Sequence, residues 1–202
     1  MKLYFATGTC SLASYIALEE LGLPFQAVRV NLKEKTLADG ADYKRVNPKG
    51  YVPTVVLDDG EVLTENSALL AYLGERDPKH VLIPAAGTLG NYRVREWLAY
   101  INSEVHKTVS PLFRPNTPEV TVKAQLELFD RRLKYIEPIL GQHSYLTGEH
   151  FTVADAYLFV ILHWFPRLKL DLADYPNLKN YHDRLMARPA ITRALEKEAA
   201  AA

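Results

Sequence analysis

The apolar positions change period once along the chain. Residues 2–6 carry a short, aromatic-rich alternation, the pattern of a strand. Leu12, Ile16, Ala17 and Leu21 then recur at helical spacing until Gly22 and Pro24 supply stop signals. Phe25 to Val30 reads as a second strand, Lys33 to Gly40 as a polar loop, and Ala41 to Val46 as a short helix ahead of Asn47-Pro48. A β-branched stretch from Thr54 to Leu57 predicts a third strand, which Asp59-Gly60 turns back toward a partner at Val62 and Leu63. A helix from Glu65 to Arg76 completes the half. This order of strand, helix, strand, helix, strand, strand, helix predicts an α+β sandwich over residues 1–80.

Residues 77–87 contain two prolines and end in a glycine, as a linker does. Beyond them, from residue 87 to 202, the strand period is gone. Val94, Trp97, Leu98, Ile101 and Val105 mark one long amphipathic helix. Val122 to Leu140, Thr152 to Phe165 and Tyr175 to Ala187 mark three more, and Pro189 opens a last one that frays into Ala199 to Ala202. Thr152, followed by Asp155 at the third helical position, predicts a capping box, a structural device.

Composition narrows the function. The 202 residues are 48% hydrophobic and 24% charged, with 24 basic against 24 acidic side chains. That balance argues against a nucleic-acid partner. No apolar run reaches membrane-spanning length and Met1 to Gly8 is no signal peptide, so a cytoplasmic location is expected. A single cysteine, Cys10, forbids an intrachain disulfide, and the six histidines lack ligand spacing, so no metal is expected.

Chemistry concentrates in three places. A Val52-Pro53 pair stands at the mouth of the third strand, where proline is tolerated; with a cis bond, the N–H and C=O of Val52 stay open to an outside partner. The helix beginning near Glu65 offers unpaired N–H groups to a carboxylate. An open backbone edge beside an anion-binding helix start suits a short peptide with a free carboxylate. Cys10 opens the first helix, where the dipole favours a thiolate; a buried, inert cysteine is the plain alternative. Ala99, Ser103, His106 and Ser110 share one helical stripe apart from the apolar face, as a cleft wall would. Tyr157, Phe159, Trp164 and Phe165 read as core, with Trp164 and Phe113 as candidates for a pocket lining.

The Val-Pro pair, Glu65-Asn66 at the next helix and Phe-Thr-Val-Ala-Asp-Ala-Tyr in the helical half resemble the glutathione S-transferases. Thr9-Cys10-Ser11-Leu12-Ala13-Ser14, Asn47-Pro48-Lys49-Gly50, Glu104-Val105-His106-Lys107 and Pro111-Leu112-Phe113-Arg114-Pro115 resemble the bacterial beta class. The resemblance spans essentially the whole chain. It implies a thioredoxin-like N-terminal domain (1–80), an all-α C-terminal domain (87–202), and a cytoplasmic homodimer that uses glutathione as co-substrate in detoxification. It also implies roles. Cys10 would lie beside the glutathione sulfur and form a mixed disulfide with it, and Val52 would pair with the cysteinyl backbone. Glu65 would take the γ-glutamyl amino group, the helix start at Asn66 its carboxylate, and Lys35 the glycyl carboxylate. Ser103, Glu104 and His106 would complete the site near the dimer seam, with Cys10 and His106 catalytic. Ser11, Lys107, Ser110, Phe113 and Trp164 would line the electrophile pocket. Relatives place an asparagine where this chain has Ala99, so that contact is lost or comes from Asn102 or Ser103.

Three functions compete: conjugation of glutathione to hydrophobic electrophiles, thiol–disulfide exchange or peroxide reduction through a Cys10–glutathione disulfide, and a non-catalytic binding module. Lowering a thiol pKa by about two units raises the thiolate roughly 25-fold, but nucleophilicity falls about 8-fold, a net gain of about three-fold. Most acceleration is therefore expected from positioning the electrophile.

Overall fold

The structure is a computed structural model describing residues 1–200; the predicted fraying at Ala201 and Ala202 lies outside the described residues. The first half is a five-stranded mixed sheet in the order β3-β2-β1-β4-β5, built from β1 (Lys2–Phe5), β2 (Gln26–Asn31), β3 (Thr36–Leu37), β4 (Thr54–Val56) and β5 (Val62–Thr64). β1 runs parallel to β2 and antiparallel to β4, with Leu3 opposite both Ala27 and Val55. Helices α1 (Ser11–Leu21) and α2 (Asn66–Glu75) belong to this half. α1 ends as its stop signal predicts, with Gly22 left-handed at φ 63° and its N–H on the Leu18 carbonyl. β3 was not foreseen. Two residues of the presumed polar loop pair with Val30 and Asn31, and the short helix at 41–46 shrinks to a 3₁₀ turn, Tyr43–Arg45.

The second half holds α3 (Leu89–Tyr100), α4 (Lys107–Val109), α5 (Glu119–Gln142), α6 (Val153–His163), α7 (Pro176–Met186) and α8 (Pro189–Ala200). The long helix predicted through Val105 is interrupted: Ile101–His106 is π-helical and Ser110–Phe113 is 3₁₀. The capping box forms as predicted. Asp155, fully buried, accepts from the Thr152 N–H and hydroxyl, the Leu146 N–H and the Tyr181 hydroxyl, at 2.8–2.9 Å.

One apolar core runs through both halves, from Leu3 and Phe5 on β1, through Leu12 and Ile16 on α1, to Leu158 on α6 and Ile191 on α8. α1 packs on α6 and α8, and α2 on α3 and α6. The approach is close. A Cβ placed on Gly74 of α2 would stand 2.9 Å from Ile83 and 3.2 Å from Val153, so only glycine fits there. A second, smaller cluster of Tyr4, Ala6, Val30, Tyr43 and Val52 closes the opposite face of the sheet. Among the described residues no helix is long and apolar enough to cross a membrane, and no three His, Cys, Asp or Glu are placed to hold a metal ion.

Candidate active site between the sheet half and the helical half

A cleft of about 920 Å³ separates the sheet half from the helical half. Its sheet-side wall includes Cys10, Lys35, Tyr51, Val52, Pro53 and Glu65. The Val52–Pro53 bond is cis, and the loop before it rests on a buried polar network. The Tyr43 hydroxyl reaches the Tyr51 carbonyl and Thr54 Oγ1, each at 2.7 Å, and the Asn47 amide reaches the same two acceptors at 2.8 and 2.9 Å. With these groups satisfied, the loop is rigid where Val52 meets the cleft.

Glu65 precedes α2 at φ 70°, ψ 121°, a conformation that side-chain-bearing residues rarely adopt. Such strain costs on the order of 1–3 kcal/mol and concentrates at ligand sites. Its carboxylate pairs with Lys49 Nζ at 2.6 Å, and the lysine also reaches Thr64 Oγ1 at 2.8 Å. Asn66 spends its side chain on structure, donating to the Cys10 carbonyl at 2.9 Å and accepting from Ser14, which ties α1 to α2. Only the opening N–H groups of α2 remain for an anion. Lys35, itself left-handed at φ 59°, lays its ammonium on the Gly50 carbonyl at 2.8 Å, 5.7 Å from the Tyr51 ring centre.

Cys10 lies on the cleft floor with its thiol directed at the Val52 carbonyl, 3.4 Å away. Its expected thiolate character is a correction. Burial pushes the thiol up to about 12 and the Glu65 charge adds to this, while the Cys10 backbone N–H and Lys107 pull the other way without prevailing. One helix terminus does not offset the loss of water around sulfur. The turn ahead of Cys10 is held from the far end of the chain. Gly8 donates to the buried Glu198 carboxylate on α8 at 3.0 Å, and the Arg167 guanidinium takes the Gly8 carbonyl.

The helical wall depends on the π-helical segment. A wider turn moves the cleft-facing series from the predicted Ala99, Ser103, His106, Ser110 to Asn102, His106, Ser110, spaced four apart. Ser103 is exposed and bonds back to the Ala99 carbonyl; Glu104 pairs with Arg132 at 2.5 Å. Neither lines the cleft of this chain, which corrects their placement. Ser11 is another correction: fully buried under Cys10, it bonds the Ala6 N–H and Thr9. Trp164 also stays off the surface, but its ring supports Phe113 and His106, each with centroids 5.1 Å away. Lys107, Ser110 and Phe113 do line the cleft.

Sequence reasoning missed Tyr157, assigned to the core. Its ring is buried in α6, yet its hydroxyl lines the cleft, donating to Asn102 Oδ1 at 3.0 Å and meeting His106 Nδ1 at 2.7 Å. The Tyr157 hydroxyl thus links Asn102 and His106 in one hydrogen-bonded chain. Burial, aided by the Lys107 charge, lowers His106 from 6.5 to about 4, so it is neutral at physiological pH. Burial also raises the Tyr157 hydroxyl far above its ordinary range. The available signal was one polar-tipped aromatic in the otherwise apolar run Ala156-Tyr157-Leu158-Phe159-Val160-Ile161-Leu162.

Comparison with known proteins matches residues 8–76 to the N-terminal domain of glutathione S-transferase and residues 100–189 to its C-terminal domain. The glutathione S-transferase GstA of Escherichia coli O157:H7 is 43% identical over 201 residues, 98% of each chain. A sphingomonad glutathione S-transferase complexed with glutathione superposes with a TM-score of 0.95 at 41% identity, covering 98% of this chain and 99% of that one. The beta class enzyme of Sphingomonas chungbukensis gives 0.94 at 40% identity over 98% of each chain.

Proposed function

The chain belongs to the glutathione S-transferase family of enzymes, and we propose that it conjugates reduced glutathione to hydrophobic electrophiles in the cleft between its halves. The observation that carries this reading is the convergence on one cleft of the Cys10 thiol, the Val52 backbone, the strained Glu65 and the start of α2. The tripeptide docks extended against Val52, its ammonium on Glu65, its α-carboxylate on the free N–H groups of α2 and its glycyl carboxylate on Lys35.

The state of Cys10 decides its role. A thiol pushed up to about 12 is a donor at neutral pH, not a nucleophile. It hydrogen-bonds the Val52 carbonyl in the empty cleft; once the cysteinyl N–H of the tripeptide takes that carbonyl, the thiol turns to the incoming sulfur and stabilises the glutathione thiolate. The thiolate then attacks the electrophile. With an aryl chloride the C–S bond forms, the C–Cl bond breaks, chloride leaves with the bonding pair, and the thiol proton passes to solvent. Tyr157 and His106 are neutral hydrogen-bonding groups on the opposite wall, tied to each other at 2.7 Å, and would hold the shape of the acceptor's side of the cleft. The nearness of Cys10 to the docked sulfur also supports a secondary disulfide-exchange reading, which requires its deprotonation and so favours alkaline pH.

Ser103 is exposed, and close by the aromatic face of Trp97, Tyr100 and Tyr135 leaves Tyr135 56% exposed. A homodimer built on this face would account for Ser103 and Glu104. Calorimetry with reduced glutathione, followed by turnover of 1-chloro-2,4-dinitrobenzene, tests the central reading. Saturable heat and turnover support it; no heat with reduced glutathione overturns it.

A further inference from the structure

The cleft carries more positive charge than a tripeptide accounts for. Among the described residues its charged lining consists of Lys33, Lys35, Lys107, Arg114 and Glu65. The one carboxylate is already paired with Lys49, which stands outside the lining. None of the four cations has a carboxylate within ion-pair distance among the described residues. Nearby charges of both signs are spent elsewhere: Glu104 on Arg132, and Arg167 on the Gly8 carbonyl and the Phe113 ring.

The four divide by wall. Lys33 and Lys35 follow β2 on the sheet side, where the glycyl end of glutathione docks in the proposed pose. Lys107 and Arg114 flank Ser110 and Phe113 on the helical side, which the tripeptide leaves empty. Lys107 lines the same cleft as Cys10 and His106. Phe113, 36% exposed, shares this lining; Arg167 lies over its ring at 5.3 Å and Trp164 packs edge-on at 5.1 Å, leaving the remaining ring surface to the cleft. Ligand pockets span about 300–1,000 Å³. The cavity, at about 920 Å³, lies near the top of that range.

We propose that the electrophile subsite selects a flat apolar acceptor bearing a carboxylate or comparable anionic group, the ring on Phe113 and the anion between Lys107 and Arg114. This deepens the conjugation reading and rests on it. A purely apolar electrophile gains nothing from two unpaired cations. An anionic one gains charge-assisted contacts from two exposed cations and is drawn in by their field.

The test compares two aryl chlorides that react by the same substitution, neutral 1-chloro-2,4-dinitrobenzene and anionic 4-chloro-3,5-dinitrobenzoate. The readout is the ratio of their kcat/KM values, which cancels any change in sulfur activation common to both. In Lys107→Gln/Arg114→Gln the ratio of anionic to neutral substrate is expected to fall about 10-fold, and in the wild type to fall as salt is raised. Lys33→Gln, on the opposite wall, is expected to shift it less than two-fold. A ratio unchanged in the double variant, or moved equally by Lys33→Gln, overturns the subsite. Failure to conjugate either chloride overturns the underlying function instead.

Discussion

The two walls of the cleft are made in different ways. The sheet-side wall sets main chain at Val52 beside the side chains of Cys10, Lys35 and Glu65, and buried Tyr43, Asn47 and Thr54 fix the loop beneath it. The helical wall presents side chains on a helix whose turn is locally widened, so Asn102, His106, Ser110 and Tyr157 meet only because of that irregularity. Main chain at Val52 reads a ligand that is itself a peptide and tolerates little change. A side-chain wall can be revised one residue at a time, and suits a partner that varies.

This contrast can be broken from either side. The largest effect is expected from Glu65→Gln. Removing the carboxylate that meets the ammonium should raise the KM for glutathione about 100-fold, by analogy with the 2–5 kcal/mol lost when one partner of a charge pair is truncated. Steady-state kinetics with glutathione varied checks it, and a change under five-fold would place the ammonium elsewhere.

Next comes a pH effect confined to the helical wall. The folded-state value of His106 lies below its ordinary 6.5, at about 4. Above pH 6.5 both folded and unfolded states are neutral there and nothing is contributed. Between 6.5 and 4 the unfolded chain takes the proton first, so stability falls with pH, by about 2 kcal/mol at pH 5. Urea unfolding of wild type and His106→Gln at pH 7 and pH 5 should show this loss only in the wild type. For the same reason conjugation should show no inflection from His106 between pH 6 and 8.

Tyr157→Phe sharpens the comparison further. It leaves Asn102 and His106 without their shared partner, and should lower kcat about 10-fold while moving the glutathione KM far less. The smallest effect lies back on the sheet wall. Lys49 occupies Glu65 in the empty cleft, so Lys49→Met should tighten glutathione binding by about three-fold, in keeping with the modest worth of an exposed ion pair. Weaker binding in calorimetry would mean that Lys49 assists the ligand instead.

Legibility followed the same division. Val52-Pro53, Asp59-Gly60, Gly22 and the Thr152/Asp155 box carry local signals, and each forms where the sequence predicts it. Those turns and caps were therefore readable from local sequence alone. The buried network under the sheet-side wall was not, because Tyr43, Asn47 and Thr54 meet through tertiary contacts that no period encodes. On the helical wall a uniform 3.6-residue repeat was assumed across residues 94–105, and the π-helical turn rotated the face by one position. Ser103 was expected where Asn102 stands, and the Tyr157 hydroxyl went unnoticed on an apolar helix. The Cys10 thiol was misread for a related reason: a helix start is visible in sequence, whereas the desolvation opposing it depends on what packs around sulfur.

The continuous core described for the two halves has a mechanical consequence. Gly74 lets one half sink onto the other without a gap, and α1 is gripped by two helices from the far side. The jaw is thus welded at its joint. Heat should therefore melt the sheet and the bundle in one event.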